Sequence, residues 1–286
     1  MSTSSYVIIS PVRNEEKYIE KTLLSIISQT ILPAEYIIVD DGSSDGTATI
    51  VKKIASNNPW IRIISKMDRG DIDMGRGVME ACNMGIKEIR TGDWDYIVKL
   101  DGDLLLEPDY FSILLGRFRK NKKLGIAGGT CYVFKNGKIA EEAVPSFHPM
   151  AAARIYRRKC FEDIGGFIET LGWDTIDLLR AQMKGWETVR YPDLKIKHLR
   201  MMSSRKGLWE GKVRLGRNFY ITGYHPLFLI ARSIYRLMEP PFFVETFGVI
   251  YGYLKALLNN ERLVVTKEEK RFLRRQQLRR LIGVRV

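Results

Sequence analysis

Four short apolar runs constrain the fold of this chain most: Tyr6–Ser10, Glu35–Asp40, Trp60–Ser65 and Tyr96–Leu100. They are nearly continuous in apolar residues rather than alternating, which is how strands covered on both faces read. Segments of helical spacing lie between them. Ile19, Leu23, Leu24, Ile26 and Ile27 form one apolar face, and Asn14 is placed to cap that helix at Glu15. Asp45 is placed to cap a helix over Thr47–Ala55, and Gly75-Arg76-Gly77 leads into another over Val78–Ile89. Pro108 suits the first turn of a helix running to about Lys120. Strands and helices alternating over short connections predict a layered α/β domain, its sheet largely parallel and its helices on both faces. Such sheets bind ligands in the crevice outside the carboxyl ends of their strands.

The acids of this chain collect at those ends. The stretch YIVKLDGDLLLEP, Tyr96–Pro108, runs from a buried strand into Asp101 and Asp103 with Gly102 between them. Side chains two apart on an extended chain face the same way. Two such carboxylates repel unless a positive charge sits between them, and a hard divalent cation with open positions for phosphate oxygens supplies one. Gly102 is read as letting the backbone turn and something large come close. Asp40 and Asp41 end the second strand, where a carboxylate accepts from a base N–H or a sugar hydroxyl. Arg76, among glycines at a helix start, suits a diphosphate.

The middle of the chain is less regular. Leu124–Phe134 reads as a strand pair or an irregular strand, Asn136-Gly137 as a hairpin turn, Ala151–Tyr156 as a strand and Lys159–Ile164 as a helix ending at Gly165-Gly166. A further helix spans Asp174 to about Lys184. Asp174 at its start is either a cap or a general base, and Asp177 lies one turn on. Glu187–Tyr191 is a strand that Pro192 ends, and His198 in the next extended piece is a candidate metal ligand.

The chain of 286 residues carries a net charge of +13, which points to an anionic partner. The surplus concentrates late: residues 206–286 hold sixteen Lys and Arg against six Asp and Glu. We therefore expect a catalytic domain over 1–205 and a basic helical region over 206–286. Pro240-Pro241 break the apolar stretches of that region. Lys267–Val286 reads as an amphipathic helix with Phe272, Leu273 and Leu278 on one side, for an anionic membrane surface, or else as a solvated charged helix capping the core or making an oligomer contact. No run has the roughly 18–20 apolar residues of a spanning helix, and MSTSSYVIIS lacks the features of a signal peptide. Three scattered cysteines favour a reducing compartment. The expectation is a cytoplasmic protein with peripheral contact at the inner face of the cell membrane. The basic balance alone allows a nucleic-acid-binding protein, but no such motif is present. A nucleotidyltransferase would place glycines right after the first strand, where Pro11–Glu16 has none. A dinucleotide oxidoreductase would need Gly-x-Gly-x-x-Gly there.

Taken in order, Ile9-Ser10-Pro11-Val12-Arg13-Asn14-Glu15-Glu16, Val39-Asp40-Asp41-Gly42-Ser43-Ser44-Asp45-Gly46-Thr47, Gly75-Arg76-Gly77, Leu100-Asp101-Gly102-Asp103, Gly172-Trp173-Asp174-Thr175-Ile176-Asp177 and His198 resemble the inverting nucleotide-sugar glycosyltransferases of family 2, with their GT-A fold. The resemblance covers about the first two-thirds of the chain. It implies that Pro11, Arg13 and Glu15 line a nucleobase and ribose pocket, with Asp40 or Asp41 on the base and Arg76 near the diphosphate. Asp101 and Asp103 look like the family's Asp-x-Asp, binding Mn²⁺ or Mg²⁺ and the donor diphosphate, with His198 as a further ligand. Asp174 is similar to the catalytic base, with Asp177 as the alternative. The implied donor is a nucleoside-diphosphate-sugar and the implied acceptor a saccharide; a lipid-linked acceptor, in cell-surface polysaccharide or glycolipid synthesis, would account for the aromatic and basic character of the C-terminal region. Arg13 stands where an aromatic is usual, Arg76 where Lys is more frequent, and Asp174-Thr175 where Glu-Asp is usual. Gln276 and Arg279 have the spacing of a Gln-x-x-Arg-Trp motif, but no Trp follows.

Overall fold

The computed structural model describes residues 5–68, 70, 73, 75–135, 138–141, 147–200, 207–236 and 243–283. The chain divides into two compact units, residues 1–169 with 184–201, and residues 170–183 with 202–286. The sequence reading breaks the chain once, near 205; here 170–183 group with the C-terminal helices.

The first unit is built on one mixed sheet. Its strands are β1 (Tyr6–Val12), β2 (Glu35–Asp40), β3 (Ile61–Ser65), β4 (Tyr96–Leu100), β5 (Leu104–Leu106), β6 (Leu124–Lys135), β7 (Lys138–Glu141), β8 (Ala153–Arg157) and β9 (Glu187–His198). They lie in the order β3-β2-β1-β4-β8-β6-β9-β5, with β7 paired to β6. The four strands from β3 to β4 are parallel, and β8 joins β4 antiparallel. Helices α1 (Ile19–Ile27), α2 (Thr47–Ala55), α3 (Arg76–Lys87), α4 (Tyr110–Lys120) and α5 (Arg158–Asp163) complete the unit. The strand order reverses at β1: α1 carries the chain toward β2 on one side, and α3 returns it to β4 on the other. That reversal opens a crevice at the carboxyl ends of β1 and β4.

The alternating strand faces explain the packing. Tyr6, Ile8, Tyr36, Ile38 and Val98 join Leu23 and Ile26 of α1 and Leu114 and Phe118 of α4 in one core. Each fully buried aliphatic there contributes about 1.5–3 kcal/mol. The intervening Ile9 and Val39 meet α3, where a Cβ on Gly85 would lie 2.8 and 2.9 Å from their Cγ2 atoms.

The chain departs from the sequence reading where local signals mislead. β1 continues through Pro11 and Val12, opposite Val39 and Asp40. Its ladder with β4 ends earlier, at Ile9 and Lys99, so Pro11 has an open side for its missing N–H. Asn14 does not cap α1, which begins only at Ile19. Its φ is +54°, and its Oδ1 accepts the Ser44 N–H at 2.9 Å, tying together the loops after β1 and β2. Pro192 does not end a strand. It sits inside β9, where the register on β6 jumps from Gly128–Arg190 to Thr130–Lys195, a bulge that frees it from the ladder. Asn136-Gly137 and Pro240-Pro241 lie outside the described residues.

The second unit contains α6 (Trp173–Met183), α7 (Leu208–Ile221), α8 (Pro226–Tyr235), α9 (Val244–Leu258) and α10 (Lys267–Leu281). Glycines bring α7 and α9 together. A Cβ on Gly216 would lie 2.0 Å from the Val249 carbonyl oxygen, and one on Gly252 2.0 Å from that of Val213. Phe219, Leu229, Val249 and Tyr253 form the core beside them. α10 opens on a capping box of Thr266 and Glu269. It buries Glu269, Leu273 and Gln277, while Leu278 is exposed, so of the expected face of Phe272, Leu273 and Leu278 only Leu273 is buried. Polar links explain this: Glu269 pairs with Arg180 of α6 at 2.7 Å, and Gln277 accepts the His225 N–H at 2.8 Å. Gln276 donates to Gln182 of α6 at 2.7 Å. Among the described residues no helix is long and apolar enough to cross a membrane.

Candidate active site

The loops leaving β1 and β2 meet at the carboxyl edge of the sheet. Asp40 is buried and its Oδ1 accepts the Ser43 N–H at 2.9 Å, an Asx-type turn. The Asp41 N–H donates to the Val12 carbonyl at 2.9 Å, and its carboxylate lies 3.4 Å from Lys66 Nζ. Arg13, just beyond Pro11, donates to the Asp41 carbonyl at 2.9 Å and pairs with Asp68 at 2.7 Å. The Gly70 N–H, and after it Arg13, hold the Asp68 carboxyl below the usual range. Gly42 is required where these loops touch. Its φ is +79°, and a Cβ would lie 2.7 Å from Asp68 Cα. Pro11, Arg13, Asp40 and Asp41 therefore share one corner. Arg76 stands at its margin with a side chain 67% exposed, 2.7 Å from Glu80; the other Glu80 oxygen meets Lys66 at 3.1 Å.

The Asp101-Gly102-Asp103 triplet is a turn between β4 and β5, so strand alternation does not govern it. Each acid has its own cation. Asp101 pairs with Lys99 of β4, and its N–H donates to the Ala152 carbonyl at 2.8 Å. Asp103 is 2% exposed. Its Oδ2 lies 2.6 Å from Arg200 Nη2 and 3.4 Å from His198 Nε2. The same Arg200 nitrogen is 2.9 Å from Glu15 Oε1. Glu15, buried after β1, donates its N–H to Thr47 Oγ1 at 2.8 Å. Burial alone would raise the Asp103 pKa, but His198 and Arg200 outweigh it and hold the carboxyl below its usual range. Arg200 moves the other way: burial opposes its charge, and Asp103 and Glu15 overcome that and raise its pKa.

The fold accounts for this meeting of distant residues. β5 and β9 pair so that Leu104 stands opposite His198, and the Leu199 N–H donates to the Asp103 carbonyl at 2.9 Å. Thr22 of α1 clamps the turn from the other side, donating to the Gly102 carbonyl at 2.9 Å and accepting the Leu104 N–H at 3.1 Å. Gly102 admits protein rather than ligand. A Cβ there would lie 3.0 Å from Val12 Cγ1 and 3.3 Å from Glu15 Cγ. The expectation of a close approach holds, but its partners are side chains of β1 and the loop after it.

Asp174 and Asp177 belong to the second unit. Asp174 lies in the first turn of α6, half-buried. Asp177 is buried, and its Oδ1 accepts the Leu178 N–H at 2.6 Å. The start of α6 is held by Gly172, whose φ is +87° and whose Cβ position lies 2.3 Å from Asn218 Oδ1 of α7.

Arg200, Lys99, Lys66 and Thr22 are the members of these clusters that sequence reasoning missed. Lys99 and Arg200 carried a weak signal, each standing two residues from a singled-out site residue, Asp101 and His198 respectively. Thr22 carried none, being one polar residue on an apolar helix.

The family model for Glycosyl transferase family 2 matches residues 7–169, the segment that supplies Pro11 through Asp103. A poly-beta-1,6-N-acetyl-D-glucosamine synthase of Staphylococcus aureus is 25% identical over 223 residues, covering 70% of this chain and 51% of that protein. The chain thus spans about half the length of the curated relatives it matches. Among solved structures, the mannosyltransferase PcManGT from Pyrobaculum calidifontis, in complex with GDP-Man and Mn²⁺, superposes with a TM-score of 0.60 at 16% identity, covering 97% of this chain and 85% of that one. Residues 1–349 of S. aureus TarS, in complex with UDP-GlcNAc, superpose with a TM-score of 0.57 at 17% identity, covering 94% of this chain and 78% of that one.

Proposed function

Since the chain belongs to glycosyl transferase family 2, we propose that it is a metal-dependent inverting transferase moving a sugar from a nucleoside-diphosphate-sugar to a hydroxyl of a saccharide acceptor. The observation that carries this reading is the meeting of Asp103 and His198 at the carboxyl edge of the sheet, 3.4 Å apart. Among the described residues no three His, Cys, Asp or Glu side chains cluster as a ready metal site, so this pair is the part of such a site that the fold brings together. A carboxylate and an imidazole suit Mn²⁺ better than Mg²⁺, which prefers oxygen. Asp103 and His198 would hold the ion, with Asp101 turned from Lys99 as a further donor. When bound, it would offset the charge that grows on the departing diphosphate.

The protein's own residues do the rest in this reading. Pro11 and Arg13 border the nucleobase, and Asp40 or Asp41 accepts its N–H or a ribose hydroxyl. Glu15 holds Arg200, which lends positive charge to the diphosphate side of the site. Arg76, exposed at the start of α3, is free to swing from Glu80 to a phosphate. Asp174 takes the proton of the acceptor hydroxyl as its oxygen attacks the anomeric carbon and the bond to the diphosphate oxygen breaks. Asp174 is preferred to Asp177, which is buried and engaged by the Leu178 N–H. One direct displacement inverts the anomeric carbon. A UDP-sugar is the first donor to try, given the S. aureus relatives named above, and a GDP-sugar the second. A lipid-linked saccharide is the acceptor that suits an enzyme working at the cytoplasmic face of a membrane.

Calorimetric binding of UDP, GDP and dTDP, with and without Mn²⁺, to the wild type and Asp103→Asn tests the site. Mn²⁺-dependent binding of one nucleotide, weakened at least about tenfold in the variant, is the expected result. Binding that ignores Mn²⁺, or that the variant keeps, would sink the metal assignment.

A further inference from the structure

The helical unit leaves an apolar stripe uncovered. Phe243, Phe247, Tyr251, Leu254 and Leu258 recur along α9 at spacings of four, four, three and four, and all are exposed. The opposite face of the same helix, with Val249, Gly252, Tyr253 and Ala256, is buried. A helix that is apolar on both faces is normally covered on both. Here Leu258 is 80% and Phe247 58% exposed. α8 repeats the pattern with Leu227, Ile230 and Ile234 exposed. The one acid of α9, Glu245, is turned away and held by Lys212, Arg232 and Arg236 at 2.6, 3.2 and 3.2 Å.

A second feature of the unit supplies charge. Arg271, Arg274, Arg275 and Arg279 of α10 line one groove with Leu278 and Ile282. Arg271, Arg275 and Arg279 are exposed and have no acid paired with them among the described residues. Three exposed guanidinium groups beside Leu278 and Ile282 match a phosphate attached to an acyl chain better than a free polyanion, while Arg274 is held by the Gly223 carbonyl at 2.9 Å.

We propose that the second unit seats on an anionic phospholipid bilayer, with the exposed faces of α8 and α9 entering the boundary between headgroups and acyl chains and the α10 arginines taking lipid phosphates. α9 is about 22 Å long, short of a hydrocarbon core of about 30 Å, so it lies in the plane of the surface. Tyr251, and Trp209 with its ring centroid 6.0 Å away, are residue types that settle at that boundary. Charge selects the bilayer over a second copy. Residues 206–286 hold sixteen Lys and Arg against six acids, so two copies meeting there would repel, whereas anionic headgroups attract. The assignment does not depend on the transferase reading.

The test is co-sedimentation of the full chain with vesicles of phosphatidylcholine alone and with added phosphatidylglycerol. Two exposed-residue variants accompany it: Phe247→Ser with Tyr251→Ser and Leu254→Ser, and Arg271→Gln with Arg275→Gln and Arg279→Gln. We expect binding to the anionic vesicles, lost by about tenfold or more in the serine variant, and weakened in the glutamine variant and by salt. Circular dichroism checks that both are folded, and the wild-type arm needs no variant. Wild type staying in the supernatant would overturn the proposal. So would loss in the glutamine variant alone, which marks a general polyanion surface, or a wild-type dimer that the serine variant splits without vesicles.

Discussion

Arg200 makes a single electrostatic unit of Asp103 and Glu15, two buried acids that its guanidinium touches at 2.6 and 2.9 Å. Removing one partner of a buried pair leaves a charge in poor solvent, at a cost of about 3–5 kcal/mol when burial is complete. Arg200 is partly solvated, so Arg200→Gln should destabilise by less, about 2 kcal/mol, read as a lowered urea midpoint at unchanged slope. An unchanged midpoint would mean that water already screens the pair. Glu245 presents the same logic in the second unit. Burial alone would raise its pKa, but Lys212, Arg236 and Arg232 outweigh it and depress it. A depressed carboxylate stabilises the fold above its unfolded pKa, and that contribution is lost as pH falls through the folded value. Unfolding midpoints followed downward from neutral pH should therefore fall below the ordinary carboxylate range, and less steeply in Glu245→Gln, which lacks the titrating group. Parallel curves for the two proteins would remove Glu245 from the account.

Close backbone contact between α7 and α9 is the feature of the second unit most exposed to a single methyl group. Gly216→Ala or Gly252→Ala places a Cβ 2.0 Å from a carbonyl oxygen, so the helices must part. The expected loss is about 1–3 kcal/mol each, against a change within about 0.5 kcal/mol for Gly92→Ala, where nothing lies within 4 Å. Equal midpoints for all three would show that the helices do not meet at these glycines. The same scale decides what could be read from the sequence. The bounds of β2 and β4 are those their continuous apolar runs suggest, because short runs rich in Ile and Val, Tyr-Ile-Ile-Val and Tyr-Ile-Val, suit a strand covered on both faces. β5, only three residues long, carries no periodicity. β9 hides its length behind Pro192, because the extra residues of the bulge, Tyr191 to Leu194, read as a strand end although the ladder on β6 resumes at Lys195. α10 turns Glu269 and Gln277 inward, which no hydrophobic pattern predicts, since polar links set its orientation. At the candidate site, acids at strand ends were legible from turn chemistry. The cations that face them were legible only faintly, as near neighbours of Asp101 and His198: the β5–β9 ladder brings Arg200 to Asp103 across 97 positions, and no local signal encodes that pairing.

At the scale of the chain, the order of the units in sequence matters more than their composition. The chain leaves the first unit after 169, contributes α6 to the second, returns at 184 for β9 and leaves again after 201. A break near 205, natural from the shift in charge, would therefore cut the second unit rather than separate it. It would strip α6 of its contacts with α10, where Arg180 meets Glu269 and Gln182 meets Gln276, both at 2.7 Å. It would also remove α7, on which Gly172 closes at the start of α6. Asp174, the base we propose, stands in the first turn of that helix. A fragment ending at residue 205 should accordingly melt lower than the full chain, by about 5 °C or more given that 1 kcal/mol moves a chain of this size about 2–4 °C. Its α6 amides should exchange with solvent while those of β1, β2 and β4 stay protected, since the sheet keeps its own core. A fragment that melts with the full chain and protects α6 would show that this helix draws its stability from the first unit, and would restore the break at 205.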